Sequence, residues 1–181
     1  LVVKSKTFQV KGIEYTIRVA AISDASALAE LRLQIDGETE HLDRVKGEGI
    51  IDEEGFRELI LIDTSTPNHL FLVAEVENNL VGFSRCAGSQ LQRLMHQVEF
   101  GVGVKRDFWG LKVGQELLNQ SLLWAGYQGF VKVTLKVIET NKSAIHVYKK
   151  YKFEVEGVLK KDKKLSDGNY YSTLIMSRFF K

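Results

Sequence analysis

The chain has 181 residues, with 25 Lys and Arg against 23 Asp and Glu and a formal net charge of +2. That length suits one domain with a core of its own, and charge this evenly balanced argues against a nucleic-acid partner, whose footprint is a clustered basic surplus. Cys86 alone forms no internal disulfide, no apolar run approaches membrane-spanning length and no charged-then-apolar leader opens the sequence, so a soluble cytoplasmic protein without membrane attachment is expected.

Residues 1–14 read as an extension or hairpin arm in which Phe8 to Val10 turn at Lys11-Gly12 into a strand from Tyr15 to Ala20. Ser23 or Asp24 then caps a helix with the stripe Ala27, Leu28, Leu31 and Ile35. Asp36 to Gly49 is polar, and its acidic run up to Asp43 reads either as a solvated loop or as a field for a cationic amine. A second helix runs from Asp52 to about Asp63, carrying Phe56, Leu59 and Ile60. Leu70 to Val76 and Leu80 to Ala87 form a hairpin about Glu77-Asn78-Asn79. A third strand spans about Leu94 to Val104. Val98, Phe100, Val102 and Val104 face one side of it, and Gln97, Glu99, Gly101 and Gly103 the other. Glycines inside a strand mark a place where something approaches the backbone.

After Val104 the strand runs through a short loop directly into an amphipathic helix, Leu111 to Tyr127. Amides at a helix start lack intrahelical acceptors and carry the positive end of the dipole, so this junction suits an anion such as phosphate. Gly110 and Gly114 open the backbone there, and Lys105, Arg106 and Lys112 add positive charge. Lys132 to Val137 is a buried-type strand, and Asn141 to Tyr151 is a helix with Asn141, Ala144, Ile145 and Tyr148 on one stripe. Phe153 to Leu159 and Tyr170 to Phe179 close the chain as a hairpin about Asp167-Gly168. This order is α+β, with a mixed, mostly antiparallel central sheet flanked by helices. Spacing alone leaves Tyr148 as an acid or a core aromatic, Asn141 as a cap or a ligand, and Glu99 as a base or a surface residue. The four histidines show no metal-ligand spacing, and no metal is expected. Neither G-x-G-x-x-G nor G-x-x-x-x-G-K-[ST] occurs, which argues against a nucleotide-binding domain.

Two segments, Val104 to Leu118 and Asn141 to Phe153, resemble the Gcn5-related N-acetyltransferases. In that family a strand ends in V-x-x-x-x-[RQW]-G-x-[GA]-x-[GA], and a later helix reads N-x-x-A-x-x-x-Y followed by K-x-G-F. Val104, Trp109, Gly110, Gly114, Asn141, Ala144, Tyr148 and Phe153 fall in register. Lys112 stands at the middle glycine, Trp109 where Arg or Gln is commonest, and Lys152 at the glycine before the Phe.

The resemblance covers roughly Tyr15 to Phe179 and implies one acetyltransferase domain over residues 1–181, with acetyl-CoA as donor and CoA as product. It implies that the backbone of Val102 and Val104 grips the pantetheine arm, and that Trp109, Gly110, Leu111, Lys112, Val113 and Gly114 bind the pyrophosphate. Asn141, Ser143, Ala144 and Tyr148 then line the cofactor tunnel, and Tyr148 protonates the leaving thiolate. The base is Glu99 or a water, because Lys136 stands where some relatives carry a glutamate. The implied acceptor is a small-molecule amine or a peptide N-terminus, attacking directly in a ternary complex, and dimers are common in the family. The alternative is a catalytically weak acyl-CoA-binding or regulatory module, for which Lys112 and Lys136 are the support.

Overall fold

The structure, a computed structural model, describes residues 3–180. Its strands are β1 (Lys6–Val10), β2 (Ile13–Val19), β3 (His69–Val76), β4 (Asn79–Gly88), β5 (Gln97–Val104), β6 (Lys132–Ile138), β7 (Glu154–Lys164) and β8 (Tyr170–Phe179). Helices α1 (Ala25–Glu38) and α2 (Glu53–Ser65) follow β2, α3 (Val113–Tyr127) follows β5, and α4 (Lys142–Lys150) follows β6. The expected α+β order is therefore observed. The strands form one sheet in the order β1-β2-β3-β4-β5-β6-β8-β7, antiparallel at every pairing except β5 with β6.

Alternation along the strands sends apolar side chains to both faces of the sheet, and each face carries its own core. Leu28, Leu31 and Ile35 of α1 and Phe56 and Ile60 of α2 pack with Phe71 and Val73 on one face. On the other, Leu117, Leu118 and Leu122 of α3 and Ile145 and Tyr148 of α4 pack with Val98, Phe100, Val133 and Leu135. Residues of opposite parity on β5 thus look toward different helix pairs. Among the described residues no helix is long and apolar enough to cross a membrane.

Four expectations need correction. The first helix buries Ala25, not Ala27, beside Leu28, Leu31 and Ile35. Asp24 does not cap it forward, because its carboxylate accepts from Ala21 N–H at 2.7 Å and from the Arg18 guanidinium at 2.7 and 2.9 Å. The third strand begins at Gln97, not Leu94, since Leu94 N–H bonds the Leu91 carbonyl at 2.8 Å and Gln97 N–H bonds that of Leu94 at 3.3 Å, which makes the segment a turn. β7 runs on to Lys164, past Leu159, with irregular pairing between Leu159 and Lys163. Its lysine-rich second half hid that extension from the apolar pattern. Asp52, by contrast, caps α2 as expected, accepting from Gly55 N–H at 2.9 Å.

Candidate active site

The sheet opens between its two parallel strands. β5 and β6 pair only at Gln97 with Lys132, Val98 with Val133 and Glu99 with Thr134, whereas β4 stays paired with β5 as far as Val104 and β8 with β6 as far as Ile138. From Phe100 and Leu135 onward the two strands diverge.

Which backbone groups face that gap follows from the ladder. Lys105 N–H donates to the Val81 carbonyl at 2.9 Å. Hydrogen-bonded pairs alternate along an antiparallel ladder, so Gly103, Gly101 and Glu99 bond toward β4. Val102 and Val104 then turn their amides and carbonyls toward the gap. A buried or half-buried backbone group needs a partner. The Val104 carbonyl has one, the Trp109 indole Nε1–H at 2.9 Å. The other groups of this pair form a ready edge for an extended ligand with amide groups.

β5 leads through a turn, Arg106–Phe108, to the start of α3. The first amide of that helix with a helical acceptor is Glu116, which donates to the Lys112 carbonyl at 2.9 Å, so the amides of Val113, Gly114 and Gln115 ahead of it are open donors. Gly110, at φ 77°, has only the Lys11 ammonium near its open side, with Nζ 4.0 Å from where a Cβ would stand. Lys11 lies at the tip of the β1–β2 hairpin, and its proximity to this loop had no signal in the sequence pattern. Lys112 is exposed and left-handed, at φ 63° and ψ 10°. Its side chain stands where the resembled pattern has glycine, while its backbone keeps a left-handed conformation that glycine adopts freely. Arg106 lies over the Trp109 ring at 5.7 Å, and its N–H is held by Glu38 of α1 at 2.7 Å. Trp109 therefore ties loop to strand where an Arg or Gln is commoner.

α4 carries the expected stripe inward: Ile145 and Tyr148 are buried, while Asn141 and Ala144 are half-buried. Asn141 is a cap, its Oδ1 accepting from Ala144 N–H and from Ser143 Oγ, each at 3.3 Å. Ser143 is exposed beside it. The helix ends in a Schellman arrangement: Phe153 N–H bonds the Tyr148 carbonyl and Lys152 N–H the Lys149 carbonyl, both at 3.0 Å, with Lys152 at φ 68°. The rings of Tyr148 and Phe153 meet at 5.8 Å. Tyr148 is thus gripped from below by its own helix end. Desolvation pushes its phenol up to about 12, so the hydroxyl keeps its proton throughout the neutral range.

Glu99 lies on the face of β5 opposite the α3 core, and it is exposed. Gly101 on that face is open, with nothing within 4 Å of an added Cβ. Gly103 is not part of the opening, because Phe83 at 3.3 Å and Ile35 of α1 at 3.4 Å already fill the space its Cβ would take. Lys136 of β6 shares this face, with Nζ 3.9 Å from Glu99 Oε1. The acidic run is engaged internally: Asp36 pairs with Arg44 at 3.0 Å, Glu40 accepts from Ser166 N–H at 2.9 Å, and Asp43 pairs with Lys163. These contacts fasten the segment between α1 and α2 to the tip of the β7–β8 hairpin.

The site therefore combines a splayed strand pair and a helix start with a buried phenol on one face of the sheet and a carboxylate on the other. Known proteins share this fold. A curated relative, the L-amino acid N-acetyltransferase AaaT of Escherichia coli (strain K12), is 32% identical over 108 residues, which is 59% of this chain and 66% of that protein's length. An acetyltransferase of the GNAT family from Streptococcus pneumoniae superposes with a TM-score of 0.88 at 22% identity, covering 92% of this chain and 99% of the other. yncA of Salmonella typhimurium, solved with its cofactor acetyl-CoA, superposes with a TM-score of 0.81 at 17% identity, covering 92% and 94%. The family model for the Acetyltransferase (GNAT) family matches residues 38–153, more than half of the sequence, and the chain belongs to that family.

Proposed function

We propose that the protein transfers an acetyl group from acetyl-CoA to a primary amine by direct attack in a ternary complex. One observation carries this reading: the gap between β5 and β6, edged by the backbone groups of Val102 and the free amide of Val104, leads toward the open amides at the start of α3. That donor set fits a pantetheine arm followed by a pyrophosphate, the first needing amide partners and the second positive, side-chain-free surface. Trp109 to Gly114 hold the pyrophosphate, with Lys11 and Lys112 adding charge. Asn141, Ser143 and Ala144 lie at the neighbouring start of α4, where the Asn141 side-chain amide is available to the same ligand.

Acetyl-CoA supplies a thioester whose carbonyl carbon accepts the nitrogen lone pair. As the C–N bond forms and the C–S bond breaks, the nitrogen loses a proton and the sulfur gains one. Glu99, directly or through water, takes the first proton. Tyr148 gives the second, its raised pKa keeping it protonated and poised as a hydrogen-bond donor to sulfur. The two act from opposite faces of the sheet, so neither obstructs the other. Lys112 was the support for a binding-only module; its glycine-like backbone preserves the loop's shape, which favours the catalytic reading. The acceptor is a small molecule or peptide with a free amine, and the name of the Escherichia coli relative points to an L-amino acid. Release of free CoA on mixing protein, acetyl-CoA and a panel of amines tests the proposal. Amine-dependent thiol release supports it, and acetyl-CoA binding with no release from any amine refutes it.

A further inference from the structure

Resting on that reading, we propose that Glu99 and Lys136 recognise the acceptor as a zwitterion: Lys136 holds the carboxylate of a free α-amino acid while Glu99 faces its amine. Glu99 and Thr134 are the last paired residues of β5 and β6, and Lys136 is one pleat further on the same face, past the point where the strands part. That face is the one Gly103 shares with Ile35 of α1, opposite the α3 and α4 core that holds Tyr148. An acceptor approaching from the α1 side meets a negative and a positive group together, beside the open backbone of Gly101.

The pair is unlike the ion pairs that hold the fold. Asp36 and Asp63 meet Arg44 and Arg85 with carboxylate side chains only 3% and 0% exposed. Glu99 and Lys136 are 56% and 58% exposed and 3.9 Å apart, with a single contact. Such a pair stabilises a fold very little. It also leaves most of both charged groups free for a ligand. The other carboxylates near this face, Asp36, Glu38, Glu40 and Asp43, already have partners. Within an α-amino acid the nitrogen and a carboxylate oxygen lie about 3 Å apart, given standard bond lengths. That spacing suits a carboxylate and an ammonium standing side by side. A simple amine would satisfy Glu99 and leave Lys136 without a partner.

The test measures acetyl transfer to the standard L-amino acids, to their amides and to the corresponding decarboxylated amines, in the wild type and in Lys136→Met, Lys136→Arg and Lys136→Glu. Because Lys136 is exposed, each variant is expected to fold and to keep its affinity for acetyl-CoA. Lys136→Met should raise KM for the preferred amino acid by about 10- to 100-fold, the worth of a charge-assisted hydrogen bond, with kcat little changed and no effect on the decarboxylated amine. Lys136→Arg should recover part of the loss, and Lys136→Glu should turn the preference toward the amine. Transfer that ignores the carboxylate, or a Lys136→Met loss equal for acid and amine, overturns the inference while leaving the acetyltransferase reading in place. No transfer to any compound overturns both.

Discussion

Lys112 and Lys152 lie 40 residues apart in the sequence and share one backbone conformation, left-handed at φ 63° and φ 68°. They are two of the three positions at which the chain departs from its family's pattern, and at both the family carries glycine. The loop before α3 and the Schellman end of α4 each demand a positive φ, which an L side chain adopts at a cost of roughly 1–2 kcal/mol. Lys112→Gly and Lys152→Gly should each stabilise the protein by about 0.5–1 kcal/mol, because relief of this strain exceeds the extra chain entropy glycine adds to the unfolded state. Urea denaturation midpoints check it; Lys112→Ala and Lys152→Ala, which keep the Cβ, should shift little.

Much of this was readable beforehand, for physical reasons that differ by element. Period-two alternation located β2 and the parity of β5, apolar runs on either side of the Glu77-Asn78-Asn79 turn located β3 and β4, and the stripe from Asn141 to Tyr148 placed α4 to within a residue at each end. The gap between β5 and β6 was not legible from pattern, since it depends on where two strands stop pairing. Neither was the approach of Lys136 to Glu99, whose spacing is set by a parallel register across 37 residues of chain. Lys11 reaches Gly110 only because the β1–β2 hairpin folds over toward the start of α3. The acidic run up to Asp43 looked free in sequence because its partners, Lys163 and Ser166, come from the far end of the chain.

Gly110 tests the anion site. Its φ of 77° suits glycine, although Asp tolerates that region better than most residues. Gly110→Asp should leave the protein folded but remove its stabilisation by acetyl-CoA, since a carboxylate would stand where the phosphates sit. A melting temperature that still rises with acetyl-CoA in this variant contradicts the placement of the pyrophosphate.

Glu99→Gln tests the base. The rate near neutral pH should fall by roughly 10²-fold and recover in part at higher pH, where the free amine loses its proton unaided. A pH-rate profile identical to wild type assigns the proton to water.

Tyr148→Phe keeps the ring against Phe153 and removes the hydroxyl. The expected loss is mainly in kcat, roughly 10²-fold, with acetyl-CoA affinity retained. A change within about threefold returns Tyr148 to a packing role. Stability carries a separate signature. Folding raises the phenol from 10.0 to about 12, so between those values the unfolded state has released a proton that the folded state still holds. Stability due to this group is therefore complete below pH 10 and falls as pH rises toward 12, by about 1.4 kcal/mol per pH unit. Burial pushes Tyr15 up to about 12 as well, so Tyr148→Phe should lessen the alkaline decline without abolishing it, as followed by denaturation at stepped pH.

Amide hydrogen exchange with and without acetyl-CoA reports where the ligand's hydrogen bonds fall on the protein. New protection is expected at Val102, Val104 and the amides from Leu111 to Gln115, with β1 and β7 unchanged. Absence of protection along the end of β5 and the start of α3, in a protein shown to bind acetyl-CoA, would contradict this placement of the cofactor.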